Sequence, residues 1–240
     1  MKMKTSRNLR IGAFVYNFEH KKTYEGLMRL HLENYSLACA LAADRIELTH
    51  YQSKIRVAPK GLEYMHPRDI ARQLDIPYHV APHNSEECAR LIKDYNLDLG
   101  VILGARILDE SVINAFNVGV LNLHPGLLPD VRGLDTIKWA IFDRKKQGVT
   151  THLIDKHIDR GRMILRRETE VYEDDTLVDV FLRIHNLEMT LMTESLNILE
   201  QGRREFDPIT NGKYNKAVPE EIERNLPAAF EAYKRNYSSL

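Results

Sequence analysis

The sequence predicts an α/β protein: a doubly wound, mostly parallel sheet with antiparallel strands at one edge and a short C-terminal extension. Three observations carry that expectation. From residue 9 to about residue 144, short apolar runs alternate with helical-period stretches, as strand–helix–strand units do. Between residues 149 and 172 two alternating runs flank a compact polar turn, the pattern of an antiparallel pair. From Arg203 the composition turns toward charge and turn formers, with Asp207-Pro208, Asn211-Gly212 and Pro219. Residues 1–205 are expected to form the main domain, and residues 206–240 an extension made of a small hairpin and helix, docked or partly mobile.

The elements follow in order. Residues 9–16 read as the first buried strand. Residues 23–43 read as a helix, with Leu27, Leu30, Tyr35, Leu37 and Leu41 as its apolar stripe. Residues 45–52 read as the second strand and 53–63 as a loop around Pro59 and Gly61. Pro67 opens a short helix to Leu74, and 78–80 is a brief strand. Asn84 with Glu87 three residues on forms a capping pair for a helix to Tyr95. Residues 97–103 are a buried strand, 108–115 a short helix, and 118–123 another strand. A helix over 134–144 precedes the paired runs 149–155 and 163–172. The longest helix covers 176–200, with Asp174-Asp175 as its N-terminal charge and cap and Gly202 as its stop.

Composition narrows the function classes. The 240 residues carry 34 basic and 34 acidic side chains, a formal net charge of zero. That balance provides no overall basic face for nucleic acid. The basic Met1–Arg10 leads into an apolar stretch too short for a signal peptide, and no run approaches the ~20 apolar residues of a membrane span. Cys39 and Cys88 form no metal spacing and read as buried free thiols of a reduced cytoplasm. His152 and His157 are five apart across a strand end, which is no zinc pattern, so no metal is expected.

The chemistry concentrates in residues 121–133, Leu-Asn-Leu-His-Pro-Gly-Leu-Leu-Pro-Asp-Val-Arg-Gly. Asn122 and His124 are two apart at a strand end, so both side chains share one face. Pro125 ends the ladder. An amide can donate to a developing oxyanion, and an imidazole can donate or move a proton near neutral pH. Asp159, in the turn between the paired runs, can project a carboxylate to the same sheet edge. In doubly wound sheets ligands sit beyond the carboxyl ends of the strands, where Asn122 and His124 fall. Each residue also has a structural reading: Asn122 as a turn cap, His124 as a packed histidine, Asp159 as a turn former.

The order of the pieces carries more than any one of them. Asn-x-His-Pro-Gly-Leu-Leu-Pro-x-x-Arg-Gly, then Gly-Val-Thr-x-His, then Asp-x-Gly resembles the family of formyltransferases that use 10-formyltetrahydrofolate, over residues 97–165. The resemblance implies a Rossmann-type catalytic domain, with Asn122, His124 and Asp159 as the catalytic set and a cis bond at Leu128-Pro129. It implies folate contacts from Leu103, Arg106, Ile107 and Leu108 on one side and from Asp155 and Ile158 on the other. His152 matches a family histidine near the site, and reads equally as a satisfied residue just behind the site or in the core. An amine would attack the formyl carbon while Asn122 and His124 donate to the formyl oxygen. His124 would also relay the proton shed by the amine, with Asp159 either holding it or acting through a water.

The resemblance leaves the amine open among the family's branches. The Gly-rich phosphate turn of the glycinamide branch is absent at Tyr16-Asn17-Phe18-Glu19, although Gly133-Leu134-x-Thr136 resembles that branch's loop. The initiator-tRNA branch carries a barrel-like C-terminal domain that the residues after Arg203 are too few to form. Arg132-Gly133 with Trp139-Ala140-Ile141, and Gly212-x-Tyr214 to Pro219, resemble enzymes acting on nucleotide-linked amino sugars. Arg132, Gly133 and Tyr214 are then substrate contacts, Tyr214 by stacking on a nucleobase. The expected partners are folate and a small-molecule amine, without nucleic acid or membrane, and a homodimer stays open. A folate hydrolase, or a folate-binding protein without turnover, is the contrasting expectation.

Overall fold

A computed structural model describes residues 9–47 and 54–239. In chain order the elements are β1 (Ile11–Tyr16), α1 (Lys21–Leu32), β2 (Leu37–Ala43), α2 (Pro67–Gln73), β3 (Tyr78–Val80), α3 (Glu86–Asp94), β4 (Leu99–Ile102), α4 (Glu110–Ile113) and β5 (Gly119–His124). They continue as β6 (Arg132–Gly133), α5 (Thr136–Phe142), β7 (Gly148–Leu153), β8 (Arg162–Glu168), β9 (Val171–Tyr172), α6 (Leu177–Glu200), β10 (Tyr214–Asn215), α7 (Glu220–Glu223), α8 (Leu226–Tyr237) and β11 (Ser238–Ser239). The main sheet has seven strands in the order β3-β2-β1-β4-β5-β7-β8. Neighbours from β3 to β5 run parallel, and β7 and β8 are antiparallel.

The doubly wound class follows from how the strands alternate. Along β1, Ile11, Ala13 and Val15 pack into a cluster with Leu27 and Leu30 of α1 and Met192 and Leu196 of α6. Phe14 packs into the opposite cluster with Ile92 of α3 and Val112 of α4. Both faces are covered, so the central strands read as continuous apolar runs. On β5, Leu121 and Leu123 join the first cluster and Val120 the second. Alternation therefore sends Asn122 and His124 toward the Val120 side of the sheet.

Two elements differ from the sequence reading. The helix expected over 23–43 ends at Leu32. Asn34 turns the chain with φ +60°, and residues 37–43, Leu-Ala-Cys-Ala-Leu-Ala-Ala, form β2 between β1 and β3. Ala and Leu favour helix, but a short all-apolar run fits a strand covered on both faces equally well, and pairing decides. The strand expected over 45–52 is absent at 45–47; residues 48–52 lie outside the described residues.

Two caps also differ. Ser85, not Asn84, caps α3, accepting from Cys88 N. Thr176 caps α6 in a reciprocal pair with Asp179, while Asp175 binds Arg183 through both carboxylate oxygens at 2.8 Å.

The C-terminal residues lie against the α5 side of the sheet. Leu226, Phe230 and Tyr233 share a buried cluster with Ile137, Ile141, Val149 and Ile184. Beneath them Lys138 Nζ lies 2.5 Å from Glu223 Oε1, with both side chains 2% exposed, and Glu223 Oε2 also accepts from Lys54 N at 2.9 Å. Glu223→Ala removes the carboxylate of a buried ion pair and is expected to cost about 3–5 kcal/mol in urea unfolding. A loss below about 1 kcal/mol would contradict this account of the pair.

Candidate active site

The site forms where β5 ends. Strand pairing sets Asn122 opposite His152 and His124 opposite Thr150. His152 is fully buried, with Nδ1 2.8 Å from Arg160 O. A carbonyl only accepts, so Nδ1 carries the proton and Nε2 accepts from Asn122 Nδ2 at 3.1 Å. This fixes the amide's orientation and leaves its second N–H available. The geometry makes His152 a residue just behind the site, fully bonded and aiming Asn122. Burial, then the charge of His124, pushes the His152 pKa down to about 4.

His124 is 3% exposed. Its Nε2–H donates to Val131 O at 2.8 Å, which turns Nδ1 toward Asp159 Oδ1 at 3.3 Å. The other carboxylate oxygen of Asp159 accepts from Gly133 N at 2.6 Å. Burial raises the Asp159 carboxyl, but the hydrogen bond and charge of His124 and the Gly133 N–H outweigh it and hold the carboxyl below its ordinary value. Asp159 sits at φ +51°, a conformation an Asp tolerates in a tight turn. The loop between β5 and β6 contains the cis Leu128-Pro129 bond. Thr150 Oγ1 shapes this loop, donating to Gly126 O at 2.8 Å and accepting from Leu128 N at 3.0 Å. Thr150 belongs to the Gly-Val-Thr-x-His motif, yet sequence alone assigned it no role.

A cleft of about 170 Å³ opens beside these groups, lined by Ile102, Ala105, Arg106, Ile107, Leu108, Asn122 and residues 154–159. It brings Arg106, Ile107, Leu108, Asp155 and Ile158 together with Asn122 and Asp159. Its mouth carries exposed apolar side chains, Ile107 at 60% and Ile158 at 37%. Asn84 pins one wall, donating to Ile107 O at 2.9 Å and accepting from Asp109 N at 2.8 Å.

Leu103 is the exception. It is fully buried in the core, its N–H donates to Phe14 O and its carbonyl accepts from Thr23 Oγ1. It is a core residue and does not line the cleft.

The three expected substrate contacts fall elsewhere. Arg132 is buried, with Nη1 on Gly212 O at 2.8 Å and Nη2 on Ile158 O at 2.5 Å, so its terminal nitrogens hold protein to protein. Gly133, at φ +95°, lies so close to the backbone of Asn215 that a Cβ would collide with its carbonyl. Tyr214 is 41% exposed beside Arg132 in the β6–β10 pair and lines neither this cleft nor the next cavity.

That second cavity, about 210 Å³, was not foreseen. Val57, Pro125, residues 135–138, Phe181, Ile184, His185 and Glu188 line it. Glu188 is buried and contacts Lys22 at 2.8 Å and His185 at 3.4 Å. Burial raises its carboxyl, but the charge of Lys22 and its bonds to His185 and Lys22 hold it below its ordinary value. Lys22 also donates to Leu123 O, between Asn122 and His124. Among the described residues, no cluster of His, Cys, Asp or Glu is placed to hold a metal ion, and no helix is long and apolar enough to cross a membrane.

A parallel sheet with polar groups beyond its central strand ends and an antiparallel edge defines the class of protein. The comparisons supply the family. The sequence model of the formyl transferase family matches residues 49–196, and the chain belongs to that family. A methionyl-tRNA formyltransferase of Caldanaerobacter subterraneus subsp. tengcongensis is 34% identical over 146 residues, 60% of this chain and 43% of that one. Its counterpart from Flavobacterium johnsoniae is 37% identical over 112 residues, 46% of this chain and 36% of that one. The chain thus spans less than half the length of either relative. Among solved structures, a phosphoribosylglycinamide formyltransferase from Anaplasma phagocytophilum matches with TM-score 0.65 at 20% identity, covering 87% of this chain and 97% of that one. A sugar N-formyltransferase from a Shewanella species matches with TM-score 0.60 at 21% identity, covering 87% and 77%. These structures share the fold.

The His152 environment makes a direct prediction. The folded protein keeps this ring neutral to about pH 4, whereas an unfolded histidine protonates near 6.5. Its contribution to stability is full above pH 6.5 and is lost as pH falls toward 4. NMR of the ring should show the Nδ1–H tautomer and no titration between pH 7 and 5; a midpoint near 6.5 would contradict the geometry.

Proposed function

We propose that this protein transfers a formyl group from 10-formyltetrahydrofolate to a primary amine. The observation that carries the reading is one wall of the cleft, where Asn122 and Asp159 face the same space and His124 Nδ1 lies 3.3 Å behind the carboxylate. The fit of the donor rests on the cleft itself. The exposed Ile107 and Ile158, with Leu108 and Ile154, provide apolar surface for a flat ring, and Arg106, Asn122, Asp155 and Asp159 are polar groups in the lining that can orient one. When bound, the folate supplies the formyl carbon and a nitrogen that takes up a proton on leaving.

The roles follow from the hydrogen bonds. The free N–H of Asn122 donates to the formyl oxygen as its charge develops. Asp159 is kept ionised and reaches the cleft, so it accepts the proton lost by the attacking amine. His124 backs Asp159, because Nε2 is committed to Val131 O and only Nδ1 faces the carboxylate. The pair returns that proton to the leaving nitrogen.

For the acceptor we favour the amine of a nucleotide-linked amino sugar. The second cavity touches Pro125, the residue after His124, and carries the carboxylates of Asp135 and Glu188, which suit hydroxyl groups. Where β1 ends, aromatic Tyr16 and Phe18 stack at 4.8 Å in place of a Gly-rich phosphate turn, which weighs against a glycinamide ribonucleotide. The methionyl-tRNA formyltransferases among the relatives favour a second reading, the amine of an aminoacyl-tRNA.

Purified protein with 10-formyltetrahydrofolate and three acceptors (nucleotide-linked amino sugar, glycinamide ribonucleotide, methionyl-tRNA) tests the proposal. Formyl transfer to the sugar is expected. Formyl loss without an acceptor would indicate a hydrolase, and binding without loss a folate sensor. Asn122→Ala and His124→Ala should each lower turnover at least about a hundredfold with the fold intact. Near-normal rates in both would remove the mechanism.

A further inference from the structure

Three consecutive residues hold the acid–base pair. Val131 O fixes His124 Nε2, Arg132 Nη2 holds the carbonyl of Ile158, and Gly133 N holds Asp159 Oδ2. Ile158 immediately precedes Asp159, whose left-handed φ gives its peptide little freedom to shift. The far side of this tripeptide rests on the C-terminal residues. Arg132 Nη1 reaches Gly212 O, β6 pairs with β10, and Leu134 N donates to Asn215 O at 2.9 Å. The guanidinium of Arg132 thus touches both the turn carrying Asp159 and the C-terminal segment, which also meet where Ile209 N donates to Gly161 O at 2.9 Å. It is 6% exposed, and its Nε has no partner. Burying a guanidinium is costly unless its bonds serve a structure that needs them.

We propose that Arg132 is a positioning residue for Asp159, coupling residues 212–215 of the C-terminal segment to the carboxylate through the Ile158 carbonyl. The inference rests on the formyltransferase reading for its kinetic consequence, but not for its structural one. The planar fork of Arg132 spans two carbonyls in fixed directions; a lysine ammonium at this position reaches one of them. Without the second bond the turn relaxes, Asp159 leaves the Gly133 N–H, and the proton acceptor moves from the amine. Displacement on the scale of 1 Å lowers turnover by about a hundredfold while leaving the distant folate surfaces of Ile107 and Leu108 intact.

Arg132→Lys is the principal variant. Arg132→Gln, which removes the buried charge, is the second should the lysine variant not fold. Two readouts are taken: steady-state kinetics, and the NMR shift of the Gly133 amide proton, carried downfield in the wild type by its bond to the carboxylate. The expected result is kcat lower by about a hundredfold, KM for the folate donor raised by no more than about tenfold because Ile158 moves with the turn while Ile107 and Leu108 stay, and a Gly133 amide moved upfield. An unchanged amide overturns the inference, whatever the kinetics show. So does a rise in KM that accounts for the whole loss, which would make Arg132 a substrate contact. If the wild type transfers no formyl group, the functional reading fails, and the amide shift alone decides the role of Arg132.

Discussion

The site depends on a single carboxylate held from two directions. Asp159 takes the Gly133 N–H on one oxygen and faces His124 Nδ1 with the other. Neither contact survives a shift of the turn or of the loop by a bond length. The antiparallel pairing of β5, β7 and β8 brings the turn beside the β5 end. The loop after β5 folds back so that Val131 and Gly133 meet His124 and Asp159. A chain running parallel at this edge would need a crossover of a dozen or more residues and would not place a tight turn there. The change from parallel to antiparallel strands therefore builds the site.

The balance of forces at Asp159 also shapes its chemistry. Burial favours the neutral acid, and the donors around it favour the anion; the donors prevail. At His152 burial and the charge of His124 prevail over the Arg160 carbonyl and the nearby carboxylates, so the ring stays neutral and serves as an acceptor for Asn122. Two titratable groups in one site are thus driven to opposite roles, Asp159 kept negative by its donors and His152 kept uncharged by burial. Lys22 and Glu188 support the opposite side of β5 through Leu123 O, so the end of β5 is anchored by polar contacts on both flanks.

Much of this was legible in the sequence, for identifiable reasons. β3, α2 and the α6 body were readable because proline, turn residues and helical spacing agree there. β2 was not, because Leu-Ala-Cys-Ala-Leu-Ala-Ala carries no period and its propensity points to helix. Asn122, His124 and Asp159 stood out through motif order. The contacts of Arg132 did not, because the carbonyls it binds lie 26 and 80 residues away, and no local pattern encodes them. Leu103 adjoins the cleft-lining residues in sequence, but alternation along its strand turns it into the core with Val101 and Leu99. The second cavity draws on residues from Val57 to Glu188 and has no sequence signature.

The central claim is that the Asp159 carboxylate accepts the amine proton. Single-turnover formyl transfer by Asp159→Asn tests it most directly, since the amide keeps the shape and loses the charge. The account predicts a rate lower by roughly 10²–10⁴-fold with folate affinity unchanged. A variant that transfers formyl at the wild-type rate would show that the proton leaves by another route.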